Sequence, residues 1–485
     1  MKKEMNPTLT LKEKTIKGLI WVGSSQVIFQ VLSWVCTIFV IRILSPSDYG
    51  LMGMAGIVIG FVGLFSGLGI DIAIIQKKDI TKRELDSLFW INLASGVFFF
   101  FAVFLIAPFV SRFFAAESLT PVLRVLGANF IICSLYSIPY ALLTKELAFD
   151  KRSRADIGAN VFSNLLTLLS AHLGFSVWSL VIGFTARNIA LLFALTLTVQ
   201  YCPRVVFSLA NIGGLLRYGI YAAGSRTFWY IYSNADYLIV GRFLGQTVLG
   251  YYTMAFELSS MPIDKISGMV NPVAMASFCK LQDRIDELKT YFLSFTRGTS
   301  TLIFPALIGL MFISNDFVNL ILTNKWAPAI LPLQVLAIMG IFKCLSVMVS
   351  PLLHARGKPN ISMYYCMASA VIMPAAFLVG VRYGLEGVSL AWLTVFPWLA
   401  SFMIYLGCRE VGASLKEYVL NLSPSIMSTL AMLSALAIVK VLLSHYPVNI
   451  WILILYIFSG ALAYAGVMVI FFPKFRADIA QVVPR

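Results

Sequence analysis

The feature that most constrains this chain is a series of long apolar stretches separated by short polar segments. The stretches run for roughly 18–27 residues, the length at which a helix crosses a hydrocarbon core about 30 Å thick. Only helices and closed barrels satisfy all their backbone hydrogen bonds in lipid. The stretches lack the strict alternation of barrel strands, which excludes a barrel. The composition agrees, because 59% of the 485 residues are hydrophobic and only 12% are charged.

The pattern predicts an all-α polytopic membrane protein with about fourteen transmembrane helices. The predicted spans are 18–41, 49–75, 87–111, 119–144, 157–174, 177–200, 217–240, 247–272, 298–318, 328–351, 362–381, 386–408, 424–443 and 449–472.

The 37 basic residues divide unequally between the two sides of this topology. One side receives most of them, including the lysines near the N-terminus and the basic residues near the C-terminus. The other side receives only Arg42, Arg112, Arg242, Lys325 and Arg382. The positive-inside rule therefore places both termini in the cytoplasm. Basic loops facing anionic headgroups explain the net charge of +15, so no nucleic-acid partner is expected.

No segment between the spans is long enough for a catalytic domain, so we expect a protein that is not an enzyme. The sequence contains no P-loop, and its seven cysteines form no C-x-x-C pair. We therefore expect neither a cofactor nor a metal site. The longest segment, around 273–297, and the segment 203–216 are predicted to hold short amphipathic helices on the cytoplasmic surface.

An internal repeat appears when the chain is shifted by 200 residues. The matched pairs include Arg42 with Arg242, Leu44 with Leu244, Gly50 with Gly250, Met54 with Met254 and Ala55 with Ala255. Such a repeat predicts two pseudo-symmetric six-helix bundles with the same orientation. The predicted domains are 1–202, 203–410 and an appendage, 411–485, that carries the last two helices. Composition bias with one coincident loop is the alternative explanation.

Polar residues recur on one face of the first and seventh spans, and polar groups inside spans commonly face a cavity or a partner. The first span offers Gln26, Gln30, Ser33 and Thr37, and at the matching repeat positions the seventh offers Arg226, Tyr230, Ser233 and Tyr237. Because the two faces are related by the repeat, we expect them to line a central cavity.

Embedded cations and acids provide the remaining candidates. Arg187, Arg226, Lys265 and Lys343 lie inside predicted spans. Unpaired cations in a cavity attract an anion, and guanidinium suits phosphate through paired hydrogen bonds. Ion pairing within the protein, for instance of Arg226 with Glu257 or Asp236, is the alternative. The candidates for proton or cation binding are Asp71, Asp236, Glu257 and Asp264.

Two stretches resemble the polysaccharide flippase (Wzx-type, oligosaccharidyl-lipid) family of the multidrug and oligosaccharidyl-lipid exporter (MOP) superfamily. They are YSNADYLIVGRFLGQTVLGYYTMAFELSSMPIDKISGMVNPV, in the region 216–284, and RILSPSDYGLMGMA in the first half. The pattern is most similar to the branch of lipopolysaccharide, colanic-acid or teichuronic-acid exporters. Fourteen spans, rather than the twelve of many members, resembles the lipid II flippase relatives, whose last two helices border a groove for the lipid tail.

The resemblance implies a MATE-like pair of bundles in the bacterial inner membrane that moves undecaprenyl-diphosphate-linked oligosaccharide by alternating access. The diphosphate is then expected at Arg226, helped by Lys265, Lys343 or Arg187, with membrane lipid around the polyprenyl tail. The expected sugar-binding residues are Gln26, Gln30, Trp229, Tyr230 and Tyr237. Protons or Na⁺ entering at an acid such as Glu257 or Asp264 would reset the transporter. A cation-coupled multidrug exporter of the same superfamily is the alternative function, although deep arginine and lysine favour an anionic cargo.

Overall fold

The computed structural model describes residues 33–66, 70, 74, 80–146, 148–205 and 213–471. Side chains are described over the same ranges apart from Phe149, residues 213–226 and Phe471. Every regular element within these ranges is a helix. The chain divides into two compact units, an N-terminal unit of Met1–Thr227 and a C-terminal unit of Phe228–Arg485.

The helices of the N-terminal unit follow the predicted spans closely. They are α1 (Ser33–Ile43), α2 (Pro46–Ser66), α3 (Lys82–Phe114), α4 (Leu119–Gly127), α5 (Asn129–Lys145), α6 (Phe149–His172) and α7 (Val177–Val199). The long helix α8 (Gly213–Lys280) then crosses from this unit into the next.

The C-terminal unit contains most of α8 and eight further described helices. These are α9 (Ile285–Phe317), α10 (Ile330–Ser346), α11 (Val349–Ala355), α12 (Pro359–Gly380), α13 (Gly384–Glu410), α14 (Leu415–Asn421), α15 (Ser423–Leu442) and α16 (Ile450–Phe471). Short π and 3₁₀ turns, Val318–Leu322 and Asn324–Ala329, join α9 to α10.

Nine helices in the described part of the chain are long and apolar enough to cross a membrane. The protein is therefore a multi-pass membrane protein. The predicted spans 157–174, 217–240 and 247–272 also lie on helices, α6 and α8, but these are more polar than the nine. The total of fourteen spans and the pseudo-symmetry of the halves stay predictions.

Local sequence explains where several helices begin and end. Thr81 caps α3 with a capping box, in which its hydroxyl accepts from the Glu84 amide and the Glu84 carboxylate accepts from the Thr81 amide. The chain breaks between α1 and α2 near Leu44, and α8 loses helical geometry at Gly245, where φ is 84°. Glycine adopts that conformation without the steric penalty of a side chain. The turn at Gly245 separates the seventh and eighth predicted spans.

The prediction of a surface helix within 273–297 is wrong. Helix α8 continues to Lys280 and α9 begins at Ile285, so only a four-residue turn separates them. The charged residues there sit on the ends of two helices that extend past the apolar core. A short helix exists instead at α14, where Tyr418 is buried and both Lys416 and Val419 are exposed. The predicted surface helix at 203–216 lies largely outside the described residues.

The last two helices pack firmly onto α9 in the C-terminal unit. Met432 and Leu436 of α15 and Leu453 and Tyr456 of α16 share one apolar cluster with Ile308 of α9. Buried hydroxyls add to this contact, because Ser425 of α15 lies 3.1 Å from the Ser300 hydroxyl and 3.0 Å from that of Thr301. Tyr464 of α16 also donates to the Thr301 carbonyl at 2.8 Å. The appendage predicted at 411–485 therefore shares an interior with α9.

Candidate functional site

Four of the predicted site residues cannot be located fully. Gln26, Gln30 and Asp71 lie outside the described residues, and Arg226 lies in α8 with its side chain outside them. The remaining candidates fall into two groups, one in each compact unit. Each group is built by different helices and has a different balance of charge.

The buried centre of the first group is Asp236, on α8 before the turn at Gly245. Its side chain is 0% exposed. It accepts hydrogen bonds from the Tyr252 hydroxyl at 2.5 Å and from the Trp392 indole N–H at 2.9 Å. The Tyr237 amide donates to the other carboxylate oxygen at 2.9 Å. Tyr252 follows the turn and Trp392 belongs to α13, so one carboxylate joins both arms of α8 to a third helical segment.

Aromatic rings surround this carboxylate. The Tyr237 ring packs edge-on against Tyr252 and Phe256, with centroids 5.4 and 5.5 Å apart. Phe256 in turn lies 6.3 Å from Trp392. Tyr252 and Trp392 are almost fully buried, so these rings pack against one another and keep their polar groups hydrogen-bonded. We call Tyr237, Tyr252, Phe256 and Trp392 the aromatic wall.

The cation beside the aromatic wall is Lys343 of α10. Its ammonium lies 5.6 Å from the centroid of the Phe256 ring and 3.9 Å from the nearer carboxylate oxygen of Asp264. The Asp264 side chain is 67% exposed, so the pair is weak by geometry and by solvent screening. Lys265, the next residue on α8, is exposed. The predicted ion-pairing alternative thus holds for Lys343, but only loosely.

The polar residues of the eighth predicted span lie on two neighbouring stripes of α8. Thr253, Ser260 and Ser267 recur every seven residues and are buried. Glu257 and Asp264 recur at the same interval on a neighbouring stripe and are exposed. The buried stripe shares its side of α8 with Ile263, which packs against α9 and α10. The acids therefore occupy an accessible stripe next to a packed one.

The other predicted cavity residues on α8 vary in exposure. Trp229 is 50% exposed, whereas Tyr230 is half-buried. The Tyr237 hydroxyl lies within electrostatic range of Glu257, Asp236 and Asp264. The structure thus brings Tyr237, Glu257, Asp264 and Lys343 into one neighbourhood of the C-terminal unit.

Arg187, the remaining candidate cation, lies in the N-terminal unit on α7. Its Nε donates to the Asn160 side-chain oxygen at 2.8 Å, and its Nη2 lies 3.7 Å from Asp156. The approach of α6 to α7 sets this geometry. Ser163 donates to the Gly183 carbonyl at 2.8 Å, and a side chain on Gly183 would collide with the Thr167 side chain of α6.

Several polar residues at these positions are absent from the sequence-based candidates. They are Tyr252 and Trp392 around Asp236, and Arg152 and Asp156 beside Arg187. The sequence does contain a sign of the second pair. Arg152, Asp156 and Asn160 recur every four residues, which places them on one face of a helix. Among the described residues no group of histidine, cysteine and acidic side chains is arranged to hold a metal ion.

Comparison with known protein families identifies the family of this chain. The family described as "Polysaccharide biosynthesis protein" matches residues 39–331, more than half of the chain. The chain belongs to this family. The resemblance drawn from the sequence motifs is therefore confirmed.

Similar proteins in this family are named for surface polysaccharides. The lipopolysaccharide biosynthesis protein WzxC of Escherichia coli (strain K12) is 29% identical over 419 residues, covering 85% of each chain. The teichuronic acid biosynthesis protein TuaB of Bacillus subtilis (strain 168) is 26% identical over 426 residues, covering 87% of this chain and 88% of that one.

Two solved structures have the same fold as this chain. The lipid II flippase MurJ in an inward closed conformation superimposes with a TM-score of 0.71 at 13% identity, covering 92% of this chain and 98% of that one. An inward-facing multidrug resistance transporter of the MATE family gives a TM-score of 0.66 at 17% identity, covering 79% and 94%. At these identities the likeness shows a shared fold, the MATE-like fold that the resemblance predicted.

Proposed function

We propose that the protein is a flippase that moves undecaprenyl-diphosphate-linked oligosaccharide across the bacterial inner membrane by alternating access, for surface polysaccharide biosynthesis. The observation that carries the proposal is the family match over residues 39–331, together with relatives named for lipopolysaccharide and teichuronic acid biosynthesis. The fold shared with a lipid II flippase supports a cargo built on a lipid carrier. The protein acts as a transporter and not as an enzyme.

The chemistry of the C-terminal unit suits such a cargo. Lys343 is one-third exposed and is held by Asp264 at 3.9 Å, beyond the distance of a good hydrogen bond. Its ammonium is therefore available to a phosphate oxygen at little cost. The exposed Trp229 and the half-buried Tyr230 and Tyr237 offer apolar faces to sugar rings. Lys265 is exposed on α8 and offers a second cation. Arg226, also on α8, is a further candidate for the diphosphate on the basis of the sequence.

The accessible acids are the proposed coupling groups. Glu257 and Asp264 lie on the exposed stripe of α8, where a proton or Na⁺ can reach them. Release of Lys343 from Asp264 by the diphosphate would leave that carboxylate without its cation. Uptake of a proton or Na⁺ at Asp264 would then restore neutrality and favour the unloaded state. The cytoplasmic location of both termini belongs to this proposal and rests on the basic residues of the predicted loops.

Asp236 has a different role in this proposal from the one expected from the sequence. Its carboxylate already accepts three hydrogen bonds from neutral donors and is fully buried. A coupling ion would have to displace the Tyr252 hydroxyl or the Trp392 indole. We therefore assign coupling to Glu257 and Asp264, and to Asp236 the task of holding the aromatic wall.

The second candidate function is a cation-coupled multidrug exporter. The exposed acids Glu257 and Asp264 and the likeness to a multidrug transporter of the MATE family favour it. A cavity for cationic drugs is best served by acids without competing cations, whereas Lys343 lies beside Asp264 here. The anionic, lipid-linked cargo is therefore the better fit.

Reconstitution tests the choice directly. Proteoliposomes containing the native chain, Lys343→Gln, Arg226→Ala or Lys416→Gln receive a fluorescent undecaprenyl-diphosphate oligosaccharide, and a membrane-impermeant quencher reports its movement between leaflets. We expect the native chain and Lys416→Gln, an exposed charge change on α14, to flip the lipid equally. Lys343→Gln and Arg226→Ala should each slow flipping about tenfold, the loss of one charge-assisted hydrogen bond. Uptake of a small organic cation without lipid flipping would establish the exporter instead.

A further inference from the structure

Two arginines of the N-terminal unit share one carboxylate. Arg152 and Asp156 lie one turn apart on α6, and Arg187 approaches them from α7. The Asp156 oxygens lie 3.8 Å from Arg152 Nε and 3.7 Å from Arg187 Nη2. Two cations therefore face one anion, which leaves a positive charge without a partner inside the cluster.

Neutral side chains, and not Asp156, fix the two guanidinium groups. Arg152 lies with its guanidinium carbon 4.3 Å from the centroid of the Tyr140 ring and donates to the Thr144 hydroxyl at 3.2 Å. Arg187 donates through Nε to Asn160 at 2.8 Å. The positions of both cations are thus set before any anion arrives, which reduces the entropy lost on binding.

The ion pairs with Asp156 are long. Charge-assisted N–H···O⁻ bonds are commonly about 2.7–2.9 Å, and both pairs here exceed that range by almost 1 Å. Asp156 instead accepts a hydrogen bond from the Tyr140 hydroxyl at 3.3 Å. Arg187 and Asp156 are 37% and 26% exposed, so both are within reach of a ligand. The guanidinium forks retain N–H groups that the carboxylate does not use.

We propose that Arg152 and Arg187 form a diphosphate-binding site, and that Asp156 is the internal anion that the diphosphate displaces. This proposal rests on the proposed function, whose cargo carries a diphosphate. Guanidinium groups bind phosphate oxygens through two parallel hydrogen bonds, and two of them match the two adjacent phosphates of a diphosphate. The phosphate groups belong either to the polyprenyl-linked cargo or to an anionic phospholipid headgroup, which share this chemistry.

A binding titration tests the site. The purified full chain in phosphatidylcholine nanodiscs is titrated with inorganic pyrophosphate by calorimetry, and Arg152→Gln and Arg187→Gln are compared with the native protein. Each variant should weaken binding about tenfold, because each removes one charged fork. Asp156→Asn should tighten binding about tenfold, because it removes the competing anion. Unchanged affinity in Arg187→Gln, or weaker binding in Asp156→Asn, overturns the proposal.

The chain supplies matched controls on the same helix. Arg154 and Asp150 form an exposed ion pair at 3.1 Å, one turn apart on α6. Arg154→Gln and Asp150→Asn make the same charge changes outside the cluster and should alter the affinity less than twofold. If these controls match the cluster variants, the binding is a general charge effect and the site is refuted. If the glutamine variants do not fold, Arg152→Lys and Arg187→Lys take their place. These variants keep the charge but lose the paired N–H groups of the guanidinium, so they should also bind pyrophosphate more weakly.

Competition distinguishes the two sources of phosphate. A short-chain polyprenyl diphosphate should displace pyrophosphate, whereas phosphatidylglycerol added to the nanodiscs should not. Displacement by phosphatidylglycerol alone would make the ligand a lipid headgroup and overturn the assignment to cargo. Flipping by the native chain separates this proposal from the proposed function. If the chain flips the lipid but does not bind pyrophosphate, the Arg152–Arg187 site is refuted and the proposed function stands. If the chain binds pyrophosphate as predicted but does not flip the lipid, the proposed function is refuted and the binding site stands.

Discussion

Asp236 in the C-terminal unit and Asp156 in the N-terminal unit are acids on helices of a membrane protein, but their surroundings differ. Asp236 is fully buried and accepts hydrogen bonds at 2.5–2.9 Å from neutral donors. Asp156 is partly exposed, and two arginines lie near it at 3.7 and 3.8 Å. Short bonds from fixed donors make the first carboxylate part of the framework. Long contacts to two cations make the second an exchangeable anion.

The same distinction separates Asp264 from Asp236 within the C-terminal unit. Asp264 is mostly exposed and meets Lys343 at 3.9 Å. An acid that a ligand can replace must be accessible and weakly held, because displacing a well-bonded buried group leaves its donors unsatisfied. By this criterion Asp156 and Asp264 are exchangeable, whereas Asp236 is structural.

The largest expected effect is that of Asp236→Ala on stability. The substitution removes three hydrogen bonds and leaves the Tyr252 hydroxyl and the Trp392 indole without their shared acceptor. A hydrogen bond between membrane helices contributes about 0.6 kcal/mol on average and at most about 1.7 kcal/mol. With the two side-chain bonds lost and their buried donors left unsatisfied, we expect a loss of roughly 2–4 kcal/mol. Thermal unfolding in detergent, followed by tryptophan fluorescence, measures it. Asp264→Asn is the control and should leave the Tm unchanged; an equal Tm for both variants would remove the framework role of Asp236.

A smaller loss is expected for Trp392→Phe. The indole N–H donates to Asp236 at 2.9 Å and lies 2.8 Å from the Tyr252 hydroxyl. Phenylalanine keeps most of the ring packing but no donor, so the cost should be about 1–2 kcal/mol by chemical or thermal unfolding. Trp398, on the same helix, is 79% exposed, and Trp398→Phe should cost far less. A larger effect at Trp398 would contradict the assignment of the indole bond.

Asp156→Asn should change the stability less than Asp236→Ala or Trp392→Phe. The Asp156 ion pairs are partly exposed and long, and pairs of this kind contribute at most about 1 kcal/mol. The Tm should therefore stay within a few degrees of the native value, measured in the same detergent. A loss as large as that of Asp236→Ala would show that Asp156 belongs to the framework, which removes the contrast between the two carboxylates.

The smallest expected effect concerns pH and the surface helix α14. A hydrogen bond from Lys289, 2.7 Å away, lowers the pKa of Glu417 below its usual range. Because the pKa is lowered in the folded state, the contribution is present above the ordinary pKa of glutamate. It is lost as the pH falls through the lowered value. Hydrogen exchange of the α14 amides should therefore accelerate, relative to other surface helices, between about pH 5 and pH 3. Lys289→Gln should abolish that dependence; if it persists there, another group controls the attachment of α14.

Much of the fold follows from the sequence alone. Apolar length predicted the spans, and each predicted span with described residues falls on a helix. The prediction for 273–297 was wrong because charged residues indicate the edge of the membrane and not the end of a helix. Charged residues such as Lys280 and Asp286 continue helices α8 and α9 through that region.

The site was harder to predict than the fold. The sequence marked Tyr237, Glu257, Asp264 and Lys343 as candidates, and the structure brings them into one neighbourhood, while their roles stay predictions. Spacing along one helix did not reveal Trp392, which reaches Asp236 from 156 residues away. Likewise, the pairing of Arg187 with Asp156 depends on how closely α6 and α7 approach. Tertiary partners of this kind are set by packing, which the local pattern does not contain.

The central claim is that the chain moves a lipid-linked oligosaccharide by recognising its diphosphate. The most direct test uses native proteoliposomes and two lipid-linked oligosaccharides that differ only in a diphosphate or a monophosphate linkage. Because each additional charged hydrogen bond corresponds to about a tenfold change, the diphosphate-linked lipid should flip at least about ten times faster. Equal rates for the two lipids, or flipping no faster than in protein-free vesicles, would contradict the claim.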